Sequence, residues 1–202
     1  CTYCTGGASK VMSEVAYAVF VPESHLTCTL ENFDWKGKEA LRRIVDDLLG
    51  GRRSKGIVLI GDPGVGKTHV MVGLFRALLE RKKLLGGDVL FLQWTSFVQE
   101  LQQALAQGCS PERILEEGLS GLWLVDDIRA VGGRVWSDIL KRLIELMYDK
   151  NSFGVFSTNA NSVDDLVRVW GLEDYWLSRL ISTMDIVVIE GTPAADPQRP
   201  QV

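Results

Sequence analysis

Long apolar runs are missing from this sequence. The longest, such as Ile57–Ile60 and Ile186–Ile189, are strand-sized, far short of the ~20 residues that carry a helix across a bilayer. Cysteine is scarce. The four present, Cys1, Cys4, Cys28 and Cys109, are too few and too scattered to staple a secreted fold. No basic leader precedes the apolar stretch Val15–Val21, so no secretory signal is read. A reduced, cytoplasmic protein without a membrane span is expected. An initiator Met is also missing, and a longer parent chain is expected. Neither sign of charge dominates. A formal net charge of −4 argues against a protein that grips nucleic acid with its whole surface, while a local basic patch stays open.

What is present is an ordinary globular composition. Apolar residues make up 46% of the 202 residues and charged residues 24%, which excludes a disordered chain and allows one sizeable core. Residues 1–33 read as an N-terminal segment, with a strand expected over Val15–Val21 and ended by Pro22. A helix is expected from about Asp34 to Leu49, with Leu41, Ile44, Val45 and Leu48 on one face. Strand, turn and helix then alternate. Strands are expected at 57–60, 88–93, 122–125, 153–157 and 185–190. Helices are expected at 67–83, from a Thr95 or Ser96 cap to 107, at 111–117, 134–150, 162–170 and 172–182. Short apolar strands alternating with helices predict a parallel α/β sheet covered on both faces. The tail from 192 to 202, rich in proline, is expected to be disordered.

One motif stands out. Gly61-Asp62-Pro63-Gly64-Val65-Gly66-Lys67-Thr68 matches G-x-x-x-x-G-K-[ST], and it lies between an expected strand and an expected helix. Its glycines permit successive backbone N–H groups to point at one anion, and the helix N-terminus adds its positive pole. Lys67 would reach the β- and γ-phosphates of ATP, and the Thr68 hydroxyl would be a ligand for Mg²⁺. Leu122–Val125 then carries Asp126 and Asp127 to the carboxyl end of a strand, where parallel sheets hold ligands. Asp126 would hold Mg²⁺, and Asp127 would orient or deprotonate the attacking water. Asn159, after a later strand, could reach the γ-phosphate or that water; a turn residue is the alternative. Arg179 could act in trans on a neighbour's nucleotide, against an internal salt bridge to Glu173 or Asp174.

With these elements in this order, the sequence resembles the AAA+ ATPases, specifically the DnaC/IstB group of helicase loaders and transposition ATPases. The resemblance covers about Thr29 to Gly191. It rests on Thr29–Phe33, the P-loop with His69 after it, Leu124–Ile128, Ser157–Asn159, Ser178–Leu180 and Ile189–Gly191. It implies a three-layer P-loop NTPase core over 34–191 with a five-stranded parallel sheet and a short or absent C-terminal lid. It implies Asn159 as sensor 1 and Arg179 as arginine finger. It further implies ATP-dependent homo-oligomers that handle single-stranded DNA and a protein partner, a replicative helicase or a transposase. Helicase loading leads; transposition and a nucleotide-gated binding module with slow hydrolysis stay open. Asp127 is shorter than the Glu that most AAA+ proteins carry there, which motivates the last. A small-molecule P-loop kinase is disfavoured, since nothing resembles a substrate lid.

Weaker signals remain. Cys1-x-x-Cys4 with His25-x-x-Cys28 could form a zinc site, although free or buried thiols are favoured. Lys36, Lys38, Arg42, Arg43, Arg52, Arg53 and Lys55 outnumber Glu39, Asp46 and Asp47, and Arg81-Lys82-Lys83 follow; phosphate contacts and a solvated face are equally open. Trp94, Trp123, Trp136, Trp170 and Trp176 are expected in the core or an interface. His69 is expected near the nucleotide, not on a metal.

Overall fold

The computed structural model describes residues 21–85, 89–106, 108, 122–130, 135–150, 152 and 154–191. Residues 15–20 of the strand expected over 15–21, the helix at 111–117 and the tail at 192–202 lie outside them, and Val21 is in a bend. Five parallel strands form one sheet: β1 (Gly56–Ile60), β2 (Val89–Gln93), β3 (Leu122–Asp126), β4 (Gly154–Ser157) and β5 (Met184–Val188), in the order β2-β3-β4-β1-β5. The helices are α1 (Glu39–Leu49), α2 (Lys67–Leu85), α3 (Trp94–Ala106), α4 (Val135–Asp149), α5 (Val163–Trp170) and α6 (Asp174–Thr183).

The sheet has a helical layer on each face because its strands are apolar on both sides. In β1, Ile57 and Leu59 face α1 and α2 with Val70, Met71, Leu74 and Phe75. Val58 and Ile60 face the opposite layer with Trp94, Trp123, Leu140, Phe156 and Trp170. Strand period 2 thus divides an unbroken apolar run between two cores. All of β1 is buried, and each large apolar side chain removed from water contributes about 1.5–3 kcal/mol. Trp94, Trp123, Trp136 and Trp170 lie in the core as expected, with Trp176 partly buried against it.

Three helix starts differ from expectation by two residues or more, α6 beginning at Asp174 where 172 was expected. α1 begins at Glu39, not Asp34. The Lys38 N–H donates to Trp35 O at 2.9 Å, the Trp35 indole donates to Leu30 O at 2.8 Å, and Gly37 sits at φ 72°, so residues 34–38 form a turn. α3 begins at Trp94 without a Thr95 or Ser96 cap. Gln93 Oε1 instead accepts from the Ser96 backbone N–H at 3.0 Å and from its hydroxyl at 2.8 Å. At α5 the Ser162 hydroxyl does cap, accepting from the Asp165 N–H at 3.1 Å.

Residues 21–33 pack on the P-loop helix. Val21, Cys28 and Phe33 are buried in the same core as α2. Arg76 Nη1 donates to Leu26 O at 2.8 Å and Cys28 O at 3.3 Å. A Cβ on Gly73 would stand 2.8 Å from Leu30 N, so the glycine lets the two backbones touch.

Candidate nucleotide site

β1 ends at Ile60 and the chain turns through Gly61–Gly66 into α2. Gly61, Gly64 and Gly66 hold φ of 146°, 84° and 101°, the conformations an inward-facing N–H cradle requires. Pro63 supplies a fixed φ, and Val65 is buried beneath the loop. A Cβ on Gly66 would lie 2.6 Å from Phe33 Cε2, so the lead-in closes the back of the loop. Lys67 is only 6% exposed. Its ammonium donates to Gly61 O at 2.7 Å and Asp62 O at 2.8 Å, spanning the cradle. Burial pulls its pKa down, while the Asp126, Asp127 and Asp62 charges push it up.

The carboxylates meet this loop through the sheet. Asp126 ends β3, 3% exposed, and its Oδ1 accepts from Thr68 Oγ1 at 3.3 Å. The Ser157 hydroxyl, ending β4, donates to the same oxygen at 2.5 Å and accepts from the Asp127 N–H at 2.9 Å. Burial raises the Asp126 pKa. The Ser157 and Thr68 hydrogen bonds counter that, Asp127 adds to it, and His25 opposes it.

Asp127 adopts φ 56°, a left-handed conformation unusual for a residue other than glycine. The following turn is pinned on several sides. Ile128 N–H donates to Ser157 O at 2.8 Å, and Ile128 O accepts from Thr158 Oγ1 at 2.7 Å. The Trp170 indole reaches Ile128 O at 3.4 Å, and the Trp94 indole donates to Arg129 O at 2.9 Å. These contacts support a strained backbone that aims a carboxylate. Asp127 Oδ1 accepts from Asn159 Nδ2 at 3.3 Å, and its Oδ2 lies 3.3 Å from Arg129 Nε.

Lys67, Thr68, Asp126, Asp127 and Asn159 are therefore brought together, and they fit a nucleotide with its divalent cation. Thr68 and Asp126 offer adjacent hard oxygens, and Lys67 and the glycine-loop N–H groups offer donors. Arg179 is elsewhere, at the surface between α4 and α6. It pairs with Asp149 at 3.2 Å and not with Glu173 or Asp174; Glu173 bonds Lys141 at 3.1 Å.

His69 latches the lead-in. Its Nε2 lies 3.0 Å from Thr29 O and 2.8 Å from Asn32 Oδ1, both acceptors, which places the proton on that nitrogen. Asn32 Nδ2 donates to Thr27 O at 2.9 Å, which fixes the amide's orientation. Sequence reasoning gave no role to Ser157, Arg129 or Asn32. Polarity at the end of an otherwise apolar strand was the available signal for Ser157.

IstB-like ATP binding protein is the family description that matches this chain, over residues 11–193. The chain belongs to that family. This IstB-like chain is 26% identical over 148 residues to an insertion sequence IS21 ATP-binding protein of Pseudomonas aeruginosa, covering 71% of this chain and 52% of that protein. It thus spans about half the length of that relative. The crystal structure of the DnaC helicase loader superposes with a TM-score of 0.69 at 18% identity, covering 84% of this chain and all of that one. A replication initiator DnaA bound to AMPPCP and single-stranded DNA superposes with a TM-score of 0.65 at 22% identity, covering 86% and 52%. The fold is the α/β P-loop NTPase fold of the AAA+ domains in those structures.

Of the candidate zinc ligands, only His25 and Cys28 are among the described residues. No group of three or more His, Cys, Asp or Glu there is placed to hold a metal. Cys28 is buried, which pushes its thiol pKa up, and His25 Nδ1 lies 2.9 Å from Ser24 Oγ. Cys1, Cys4 and Cys109 lie outside the described residues. The basic run is divided: Arg52 pairs with Asp47 and Arg53 with Asp185, whereas Lys36, Lys38, Arg42 and Arg43 form no ion pair among the described residues. Lys82 and Lys83 side chains are not described. No helix of the described residues is long and apolar enough to cross a membrane.

Proposed function

We propose that this chain binds and hydrolyses ATP with Mg²⁺, assembles with copies of itself, and uses that cycle to remodel or load a DNA-bound protein. The observation that carries the reading is the convergence of Thr68, Asp126, Ser157, Asp127 and Asn159 at the P-loop, joined by bonds of 2.5–3.3 Å. When bound, ATP and Mg²⁺ supply the scissile phosphoanhydride and neutralise the charge that develops on it. Lys67 gives up its two loop carbonyls to hold phosphate oxygens. Thr68 and Asp126 present their oxygens to the metal. Asp127 takes the proton of the attacking water, and Asn159 orients that water through the contact it already makes with Asp127. Arg179 of a second copy would complete the site.

A transposase as partner is favoured by the insertion-sequence relative and the family itself. A replicative helicase is the second reading, supported by the likeness to a helicase loader over the whole of that loader's chain. Single-stranded DNA is the proposed nucleic acid, with Lys36, Lys38, Arg42 and Arg43 as candidate phosphate contacts. ATP turnover with and without single-stranded DNA, for wild type, Lys67→Ala and Asp127→Ala, tests the core of this reading. Turnover above background, stimulated by DNA and lost in both variants, is expected. No turnover under any condition, with nucleotide-dependent assembly intact, would favour a nucleotide-gated binding module. Co-sedimentation with each partner class then separates transposition from loading.

A further inference from the structure

Arg179 is not a free side chain. Its guanidinium carbon lies 4.6 Å from the Tyr148 ring centroid and 4.5 Å from that of Tyr175, and Nη1 donates to Asp149 Oδ1 at 3.2 Å. The arginine side chain keeps 21% of its exposure and Asp149 keeps 56%. The two tyrosines stay 46% and 51% exposed. Tyr148 and Asp149 end α4, while Tyr175 stands one turn before Arg179 on α6. Trp176 meets the Tyr175 ring edge-on at 4.9 Å and holds it in place. A planar cation between two aromatic faces is fixed in its plane, while its N–H edge remains open to an anion. Asp149 takes that edge here.

The cage is at the wrong end of the sheet for its own nucleotide. Lys55 Nζ donates to Ile181 O at 2.9 Å, which fixes the end of α6 at the entry to β1. The P-loop leaves the exit of that five-residue strand, about 16 Å away. The side-chain contacts of Arg179 are with Tyr148, Asp149 and Tyr175, none of them in the P-loop.

We propose that Tyr148, Tyr175 and Asp149 are positioning residues for Arg179. The rings hold its guanidinium in the plane from which it reaches phosphate bound on a second copy of this chain, and Asp149 occupies the donor edge until that copy docks. This rests on the in-trans reading of Arg179 above. Docking exchanges one carboxylate for phosphate oxygens on the same N–H groups, and no covalent bond changes. The exposed Tyr148 and Tyr175 rings form the apolar ground around that contact.

The test uses the full chain with ATP, reading kcat, KM and analogue affinity, with assembly followed by sedimentation. Arg179→Ala is expected to cut turnover about 1,000-fold. Tyr148→Ala and Tyr175→Ala should each lower kcat about threefold to tenfold with analogue affinity unchanged, and the Phe variants should restore it. Asp149→Asn should raise turnover about threefold, where assembly is half complete, and shift assembly to lower protein concentration. Loss on Arg179→Ala, with the tyrosine variants behaving as wild type or with Asp149→Asn slower, would overturn the cage and leave the in-trans role standing. Unchanged turnover and assembly in Arg179→Ala would overturn that role and the cage with it. Thermal unfolding of each variant separates these outcomes from misfolding, and assembly still reports if turnover is slow.

Discussion

The Ser157 hydroxyl lies 2.5 Å from Asp126 Oδ1 and is the donor in that bond. Through the same oxygen it accepts the Asp127 N–H at 2.9 Å. One hydroxyl from β4 therefore holds a buried carboxylate and the strained residue after it. Ser157→Ala should remove both bonds and leave Asp126 with Thr68 as its remaining hydrogen-bond partner among the described residues. A loss of about 2 kcal/mol in unfolding free energy is expected, measured by urea denaturation. Turnover should fall with it, because Asp127 loses the contact that supports its backbone. Unchanged stability would show that water replaces the hydroxyl.

Gly66 faces two constraints, a φ of 101° and an aromatic edge 2.6 Å from where a Cβ would stand. Gly66→Ala should cost about 2–3 kcal/mol and abolish analogue binding by calorimetry. Pairing it with Phe33→Leu relieves the clash but not the backbone strain. Only partial recovery is expected; full recovery would assign the whole effect to the ring.

The lead-in over 21–33 reports on the P-loop helix through His69 and Gly73. A Cβ at Gly73 would press on Leu30 N at 2.8 Å and the Thr29 carbonyl carbon at 2.9 Å, both backbone atoms. Gly73→Ala should lift the segment, and His69→Ala should release Thr29 and Asn32. Faster limited proteolysis between 26 and 32 is expected in both. Wild-type cleavage rates in both variants would mean that the core contacts of Cys28 and Phe33 suffice.

Burial lowers the His25 pKa below its ordinary 6.5; the Asp126 charge opposes this and His69 reinforces it. The folded chain therefore binds a proton less readily at His25 than the unfolded chain does. Its contribution to stability is complete above 6.5 and is lost as the pH falls through the folded value. His25→Gln should flatten the stability profile between about pH 7.5 and 5, read from urea midpoints without nucleotide. An unchanged slope would assign the acid loss to other groups.

Much of the site was legible because its signals are local. The P-loop is a strand, a glycine turn and a helix in one contiguous segment, and Asp126–Asp127 follows an apolar strand directly. Element ends were less legible. The α1 start depends on a Trp35 indole reaching Leu30, and the α3 cap is a Gln93 side chain where Thr95 or Ser96 carried the better propensity. Propensity ranks residues one at a time, whereas a cap is settled by which oxygen is within reach.

By itself the sequence determined the fold class, the order of strands along the chain and the identity of the phosphate loop. Hydrophobic period and glycine placement act over a few residues and need no tertiary partner. Only the tertiary structure decided which side chains meet. Parallel register carries Ser157 to Asp126 across 31 residues. Packing of α4 on α6 brings Asp149 to Arg179, in place of the nearer Glu173 and Asp174. Arg53 finds Asp185 on the edge strand beside β1, 132 residues away in the chain. Such pairings follow from the closure of a parallel sheet, in which every neighbouring strand arrives by a crossover and separation along the chain says nothing about separation in space.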